Sequence, residues 1–320
     1  MTNVVLSLTL MVSLLAFQQT EDTAPQERPR FSASVTEIII YASVYDSQSK
    51  LVSNLTRDDF EVLEDRQPQR IDTFILTDVP STLGLVLDAS GSMRNKQSIV
   101  EEAVELFLDL TNPRHELFLI AFDDQVELEE DFTRDVEDIR DSVRNIIVKG
   151  GTALYDATFL AIDKAEQGHE PKKVAVIFTD GEDKDSYYEY EEVLEKARES
   201  ETQIFIVAFL NQDLSDDAGF FGIGRSDRQK VVRAVQDLVD VTGGKAFFPE
   251  ETGELKGVFE DIATELKNQY RISYQSTNTE FDGSWRRIDV KVKNARERAF
   301  KVRARKGYYA RSGASGTSGR

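Results

Sequence analysis

The sequence predicts an α/β protein: a doubly wound, mostly parallel sheet with helices on both faces, joined to a smaller antiparallel β domain built by its two flanks. Three observations carry this. Across residues 81–268, short and near-continuous apolar runs alternate with amphipathic stretches of helical spacing, the pattern of strands buried on both faces and of the helices that cross between them. On either side, the apolar residues change to short alternating runs broken by turns, as in antiparallel strands with one wet face. Neither flank alone offers enough strands for a core, whereas together they offer about six, near the usual size of a sheet. Two separate small β modules are the alternative.

The apolar run at 4–17 carries no charge and is shorter than the roughly 20 residues of a membrane-spanning helix. It reads as a secretory signal followed by a polar spacer, together residues 1–30. No Lys or Arg precedes the run and no clean small-x-small cleavage site follows it, so an uncleaved anchor is the other reading. The first β region, residues 31–80, offers runs at 35–45, 51–52, 60–63 and 71–76, with a turn at Asp46 and Ser47. In the central block the buried strands are 83–87, 117–122, 174–178 and 204–209. Helical stripes lie between and after them: Ile99, Ala103, Leu106 and Leu110; Leu154, Ala157 and Ala161; Val193, Leu194 and Ala197; Val231 to Val239, ended by Gly243 and Gly244; and Leu255 to Leu266. The second β region, residues 269–310, has runs at 270–275, 285–292 and 300–304 and a turn at Asp282-Gly283. The Ser/Gly-rich tail, 311–320, has nothing to bury and is expected to be disordered.

Charge and composition narrow the function. With 39 Lys and Arg against 58 Asp and Glu, the net charge is -19, a field that repels nucleic acid and anionic lipid. The stretch 285–311 runs against this, with eleven Lys and Arg against Asp289 and Glu297. It could dock on an acidic surface, or simply be strand positions facing solvent. No cysteine is present, which excludes disulfides, thiolate metal sites and a lipid-modified cysteine. His115 and His169 are the only histidines, too few for a His-rich zinc site.

The most informative stretch is the strand 83–87 running into Asp88, Ala89, Ser90, Gly91 and Ser92. Ligands bind at the carboxyl ends of strands in a doubly wound sheet, so Asp88, Ser90 and Ser92 would converge there. Two further pieces fall at the same edge. Gly150 and Gly151 precede Thr152 at a helix start, and the strand 174–178 ends in Thr179, Asp180 and Gly181. Taken singly, Ser90, Ser92 or Thr152 could be helix N-caps and Asp180-Gly181 a turn. Five oxygen-bearing residues at one sheet edge point instead to a hard cation such as magnesium, which takes oxygen ligands at about 2.0–2.1 Å. A site made chiefly of neutral hydroxyls leaves the ion most of its charge, free to attract an external carboxylate.

The D-x-S-x-S of Asp88 to Ser92, the following Met93, the later Thr152 and Asp180-Gly181 resemble the complete metal-ion-dependent adhesion site of von Willebrand factor A domains, over roughly residues 81–266. The resemblance implies that Ser90, Ser92 and Thr152 contact a Mg2+ ion, with Mn2+ or Ca2+ as substitutes, and that Asp88 and Asp180 do so directly or through water. The flanks resemble a bacterial, largely Acidobacteria-type, VWFA-related subgroup. That likeness rests on Leu55-Thr56, Asp59-Phe60, Glu64-Asp65, Ile71, Gln269-Tyr270, the W-R-R-I starting at Trp285 and the G-Y-Y starting at Gly307.

The function expected is therefore cation-dependent binding of a protein that supplies a Glu or Asp carboxylate, in a secreted, periplasmic or envelope protein. Tyr187 and Tyr188, in the loop after Asp180, would add rigid contact area. The long segment 211–227 would frame the same edge. Solvated surface is the plainer reading of both loops. An envelope assembly scaffold with a silent metal site is the alternative. A metal-dependent hydrolase fits less well, because the Asp88 loop supplies hydroxyls but no second carboxylate, and no histidine stands in a strand-end loop. No Walker-type phosphate loop is present, and Gly222-Ile223-Gly224 is too short a match to a nucleotide loop.

Overall fold

Alternation over Glu37–Tyr45 puts Ile38, Ile40, Ala42 and Val44 on one buried face and makes strand β1. Three short strands follow: β2 (Phe60–Glu64), β3 (Gln67–Gln69) and β4 (Ile71–Leu76). The chain then enters β5 (Ser81–Asp88), α1 (Gln97–Leu110), β6 (Glu116–Phe122), β7 (Val126–Thr133) and α2 (Val136–Asn145). After these come α3 (Leu154–Gln167), β8 (Lys172–Thr179), α4 (Tyr190–Glu199), β9 (Gln203–Ala208), α5 (Arg225–Thr242), β10 (Lys245–Phe247) and α6 (Leu255–Lys267). The chain closes with β11 (Tyr270–Gln275), β12 (Trp285–Val292), β13 (Lys301–Arg303) and β14 (Gly307–Tyr309). This computed structural model describes residues 37–76, 78–180, 183–209, 225–293 and 299–311. The apolar run at 4–17, the spacer, residues 210–224 with Gly222-Ile223-Gly224, and the tail after Arg311 lie outside the described residues.

The expected fold class is borne out. The central sheet has the order β10-β9-β8-β5-β6-β7, parallel throughout except where β7 runs antiparallel to β6. Leu83, Leu85 and Leu87 of β5 face a core made with Val100 and Phe107 of α1, Ile139 of α2 and Phe259 of α6. On the other face, Val86 joins Ala157 of α3, Val193 of α4 and Val235 of α5. Because β6 lies on one side of β5 and β8 on the other, the winding reverses between β5 and β8. In doubly wound sheets the carboxyl ends of the strands at such a reversal are where ligands bind.

Strands from the two flanks pair with each other in two antiparallel sheets, β13-β1-β11-β4 and β14-β12-β2-β3. Their inner faces share one core, in which Ile40, Val62, Tyr270, Ile272, Ile288 and Val292 are buried. This sandwich meets the α/β part at the amino ends of the central strands. Lys172 at the start of β8 places its Nζ 5.3 Å from the centroid of the Tyr41 ring of β1, and Gln203 at the start of β9 accepts from Gln269, just before β11, at 3.0 Å. The carboxyl edge therefore lies on the far side of the sheet from the sandwich. Among the described residues, no helix is long and apolar enough to cross a membrane.

Much of the basic stretch 285–311 turns out to be spent on internal partners. Arg286 pairs with Asp282 at 3.1 Å, Arg305 with Glu201 at 3.4 Å, Arg303 with Glu265 and Arg311 with Glu199. Three of these four pairs tie the last strands to helices of the α/β part or, for Glu201, to the loop after α4. Glu265 is the keystone, almost fully buried on α6 and also accepting from Ser43 of β1 at 2.8 Å. Removing one member of a buried pair leaves the other charge uncompensated. Glu265→Ala is accordingly expected to cost about 3 kcal/mol, lowering the melting temperature by roughly 5–10 °C. A melt within about 2 °C of the parent would show that Arg303 and Ser43 find water instead.

Candidate metal centre

Asp88 closes β5 and Thr179 closes its parallel neighbour β8, so the register of the sheet sets the two side by side. The Thr179 hydroxyl donates to Asp88 Oδ2 at 2.7 Å, and the Ser90 amide donates to Oδ1 at 2.8 Å. Burial pushes the Asp88 carboxyl above its ordinary range. The bonds from Ser90 and Thr179 oppose the rise and the nearby Asp180 charge adds to it. Beyond Asp88 a 3-10 turn, Gly91–Asn95, folds the two serines together. Ser90 Oγ lies 3.0 Å from Ser92 Oγ, and Ser92 Oγ donates to Asp180 Oδ1 at 2.7 Å. The other oxygen, Asp180 Oδ2, is ion-paired with Lys96 Nζ.

Thr152 reaches the same edge on a loop. The Lys149 amide donates to the Ala89 carbonyl at 2.8 Å and the Gly91 amide to the Gly150 carbonyl at 3.2 Å, which clamps this loop onto the Asp88 loop. Gly150 adopts φ +69, and a Cβ on Gly151 would lie 1.9 Å from Asp185 Oδ2. Side chains are thus disfavoured at the first position by backbone angle and excluded at the second by the approaching carboxylate. That carboxylate accepts from the Thr152 amide at 2.8 Å, while the Thr152 carbonyl accepts from Lys184 at 3.0 Å. Asp183 Oδ1 receives the Tyr155 amide at 3.0 Å at the start of α3, where negative charge suits the helix dipole. The loop after β8 therefore serves first to fix the loop that carries Thr152.

The structure brings all five sequence-predicted residues to one place. A chain of contacts runs from Ser90 through Ser92 to Asp180, Asp88 joins through Thr179, and Thr152 joins through backbone bonds. Of the two tyrosines, Tyr187 stands 85% exposed, whereas Tyr188 is half-buried with its ring stacked on Phe159 at 4.0 Å and 7°. Sequence reading missed Lys96, Thr179 and Asp185. Lys96 sits in the run Arg94-Asn95-Lys96, which reads as a solvated turn; the one hint is a lysine at a helix start, where the dipole disfavours it.

The donor set fits a hard divalent cation. Its side-chain donors are all oxygens, and two acidic side chains face one ammonium, leaving a net charge of about -1 when both are ionised. Among the described residues, no group of three or more His, Cys, Asp or Glu could hold a metal. Any site here therefore needs the hydroxyls.

Residues 83–182 match the family model of the von Willebrand factor type A domain. Asp88, Ser90, Ser92, Thr152 and Asp180 all lie within the matched span. Solved structures with a similar fold include a von Willebrand factor type A protein from Catenulispora acidiphila, at 11% identity and TM-score 0.48, covering 88% of this chain and 73% of that one. Another is an aerotolerance-related membrane protein from Bacteroides fragilis, at 16% identity and TM-score 0.46, covering 58% and 98%. The vWF domain of a type V pili tip protein from Porphyromonas gingivalis aligns at 13% identity and TM-score 0.43, covering 59% and 95%. No curated protein matches the chain in sequence.

Proposed function

We propose that this chain is a cation-dependent protein-binding module of the cell envelope or its exterior, working at the edge that carries Asp88. The observation that carries the reading is the gathering of Ser90, Ser92, Thr152, Asp88 and Asp180 at the reversal of the sheet, on the side away from the sandwich. The hydroxyls of Ser90, Ser92 and Thr152 would hold a Mg2+ or Mn2+ ion, with Asp88 and Asp180 bound to it directly or through water. When bound, the ion supplies a Lewis-acid positive charge that a Glu or Asp carboxylate of the partner can satisfy. Asp88 is oriented by Ser90 and Thr179, and Asp185 keeps Thr152 in place. Tyr187 is free to add contact area, whereas Tyr188 is committed to Phe159.

Calorimetry with MgCl2 and MnCl2 tests the ion. One ion is expected to bind, reversibly with EDTA, and Asp88→Ala with Asp180→Ala is expected to abolish the heat. A heat unchanged in that double variant would place the ion elsewhere. Chelation is expected to leave the circular dichroism signal intact, since most of the proposed ligands are neutral. For the partner, capture from an envelope extract with magnesium and again with chelator selects metal-dependent binders, and Thr152→Ala should weaken them without unfolding the chain.

The Lys96–Asp180 ion pair favours a second reading, a scaffold whose metal site is silent, because Asp180 already has a cation beside it. A partner indifferent both to EDTA and to Thr152→Ala would decide for the scaffold.

A further inference from the structure

Lys96 begins α1: its carbonyl accepts from the amides of Ile99 and Val100, both at 3.0 Å. An ammonium is disfavoured at the positive end of a helix and is ordinarily turned out to water there. Here it is turned in. The Lys96 and Asp180 side chains are only 9% and 1% exposed, and Nζ sits 5.0 Å from the centroid of the Phe209 ring. Among the described residues, the other basic groups at this edge do not share its place: Lys149 is largely exposed, 3.9 Å from Asp123, and Arg94 and Lys184 are exposed. So Asp180 stands between two kinds of partner, a serine hydroxyl on one oxygen and a fixed ammonium on the other.

We propose that Lys96 is a built-in counter-cation of Asp180, which holds the edge together when no divalent ion is bound and keeps the affinity for that ion low. The inference rests on the metal-binding reading above. A buried carboxylate needs a compensating charge, and Lys96 provides it from within the chain. A divalent ion seated on Ser90 and Ser92 would share Asp180 with the ammonium, and two cations a few ångströms apart in a water-poor site repel strongly. Binding must therefore displace Nζ from Asp180 or proceed against that repulsion, and either route weakens the complex. The site becomes one that fills at high ion activity and empties without unfolding.

The test is calorimetry with MgCl2 and MnCl2 on the full chain, on Lys96→Met, on the charge-keeping Lys96→Arg and on Asp88→Ala, with melting temperatures in EDTA and in magnesium. Lys96→Met is expected to bind the ion about ten-fold or more tightly than the parent, and Lys96→Arg to stay near the parent. In EDTA, Lys96→Met should melt below the parent, and magnesium should raise its melting temperature by more than it raises the parent's. Should Lys96→Met fold poorly, Lys96→Gln removes the charge with a polar side chain and is read the same way. Equal or weaker binding in the neutral variants would overturn the proposal. If parental binding were then still lost in Asp88→Ala, the metal reading itself would stand. If neither the parent nor the neutral variants bound an ion, both would fall together.

Discussion

Residues 81–320, produced without the amino-terminal flank, are expected to be insoluble, or to lose residues 270–310 to protease while the α/β part survives. In the intact chain β11 lies between β1 and β4, and β12 between β14 and β2. The cut takes both neighbours from β11, one from β12 and the partner of β13. Among the described residues, seven of the fourteen buried apolar residues of the sandwich core come from the lost flank: Ile38, Ile40, Ala42, Val44, Phe60, Val62 and Ile71. At about 1.5–3 kcal/mol for each large side chain, their loss is on the order of 10 kcal/mol, as much as the whole stability of an ordinary domain. Exposed edges on β11 and β12 would also invite pairing between copies. The shared sandwich would be the wrong description if this fragment were soluble, monomeric and protected across 285–304.

The parts of this fold that were legible in the sequence are those whose physics is local. β5, β6, β8 and β9 are buried on both faces, so each reads as an uninterrupted apolar run. The helices between them have buried stripes wide enough to show. β7 was not legible: V-E-L-E-E-D-F-T is an edge strand half open to water, and its charges protect an edge without marking a core. α2 buries only Ile139 and Val143 in ten residues. β3 is hidden by Pro68 and by a turn in which Asp65 and Arg66 both take positive φ with no glycine to signal it. β10 and β14 are three residues each, too short for any periodicity.

The site divides in the same way. Asp88, Ser90, Ser92 and Asp180 come together because β5 and β8 are neighbours, which the order of apolar runs and helices already implied. Lys96, Thr179 and Asp185 become visible only in three dimensions. Each acts on a residue at least 33 positions away, and a lysine at a helix start is only a weak local sign that it pairs inward.

The pH profile of stability is expected to rise across two separate windows, each traceable to one buried base. His115 accepts the Ser81 amide on Nδ1 at 2.9 Å and is neutral in that role; burial pushes its pKa down from 6.5 to about 4. In the unfolded chain the imidazole takes up a proton near pH 6.5, so between about 6.5 and 4 the unfolded state binds more protons and stability falls as the pH drops. The window is worth about 3 kcal/mol. Lys172, buried with its Nζ donating to the Leu266 carbonyl at 3.2 Å, is pushed down by burial from 10.5 to about 7, with Glu265 opposing the fall. Between about pH 7 and 10.5 the unfolded state again binds more protons, so stability rises with pH there, by up to about 5 kcal/mol. The two variants that isolate these windows are His115→Asn, whose Oδ1 can accept from Ser81 without titrating, and Lys172→Met, which fills the same space without charge. His115→Asn should melt like the parent at pH 7.5 and above it at pH 5. Lys172→Met should gain most at and below pH 7, where the parent buries an ammonium, and the gain should shrink towards pH 10. An unpaired Leu266 carbonyl would offset part of that gain by about 1 kcal/mol. Melting curves of the three proteins at pH 5, 7.5 and 9.5 decide the matter. Should Lys172→Met be less stable than the parent at pH 5, the ammonium would be contributing more through Leu266 and Glu265 than its burial costs, and the alkaline rise would have to come from other groups.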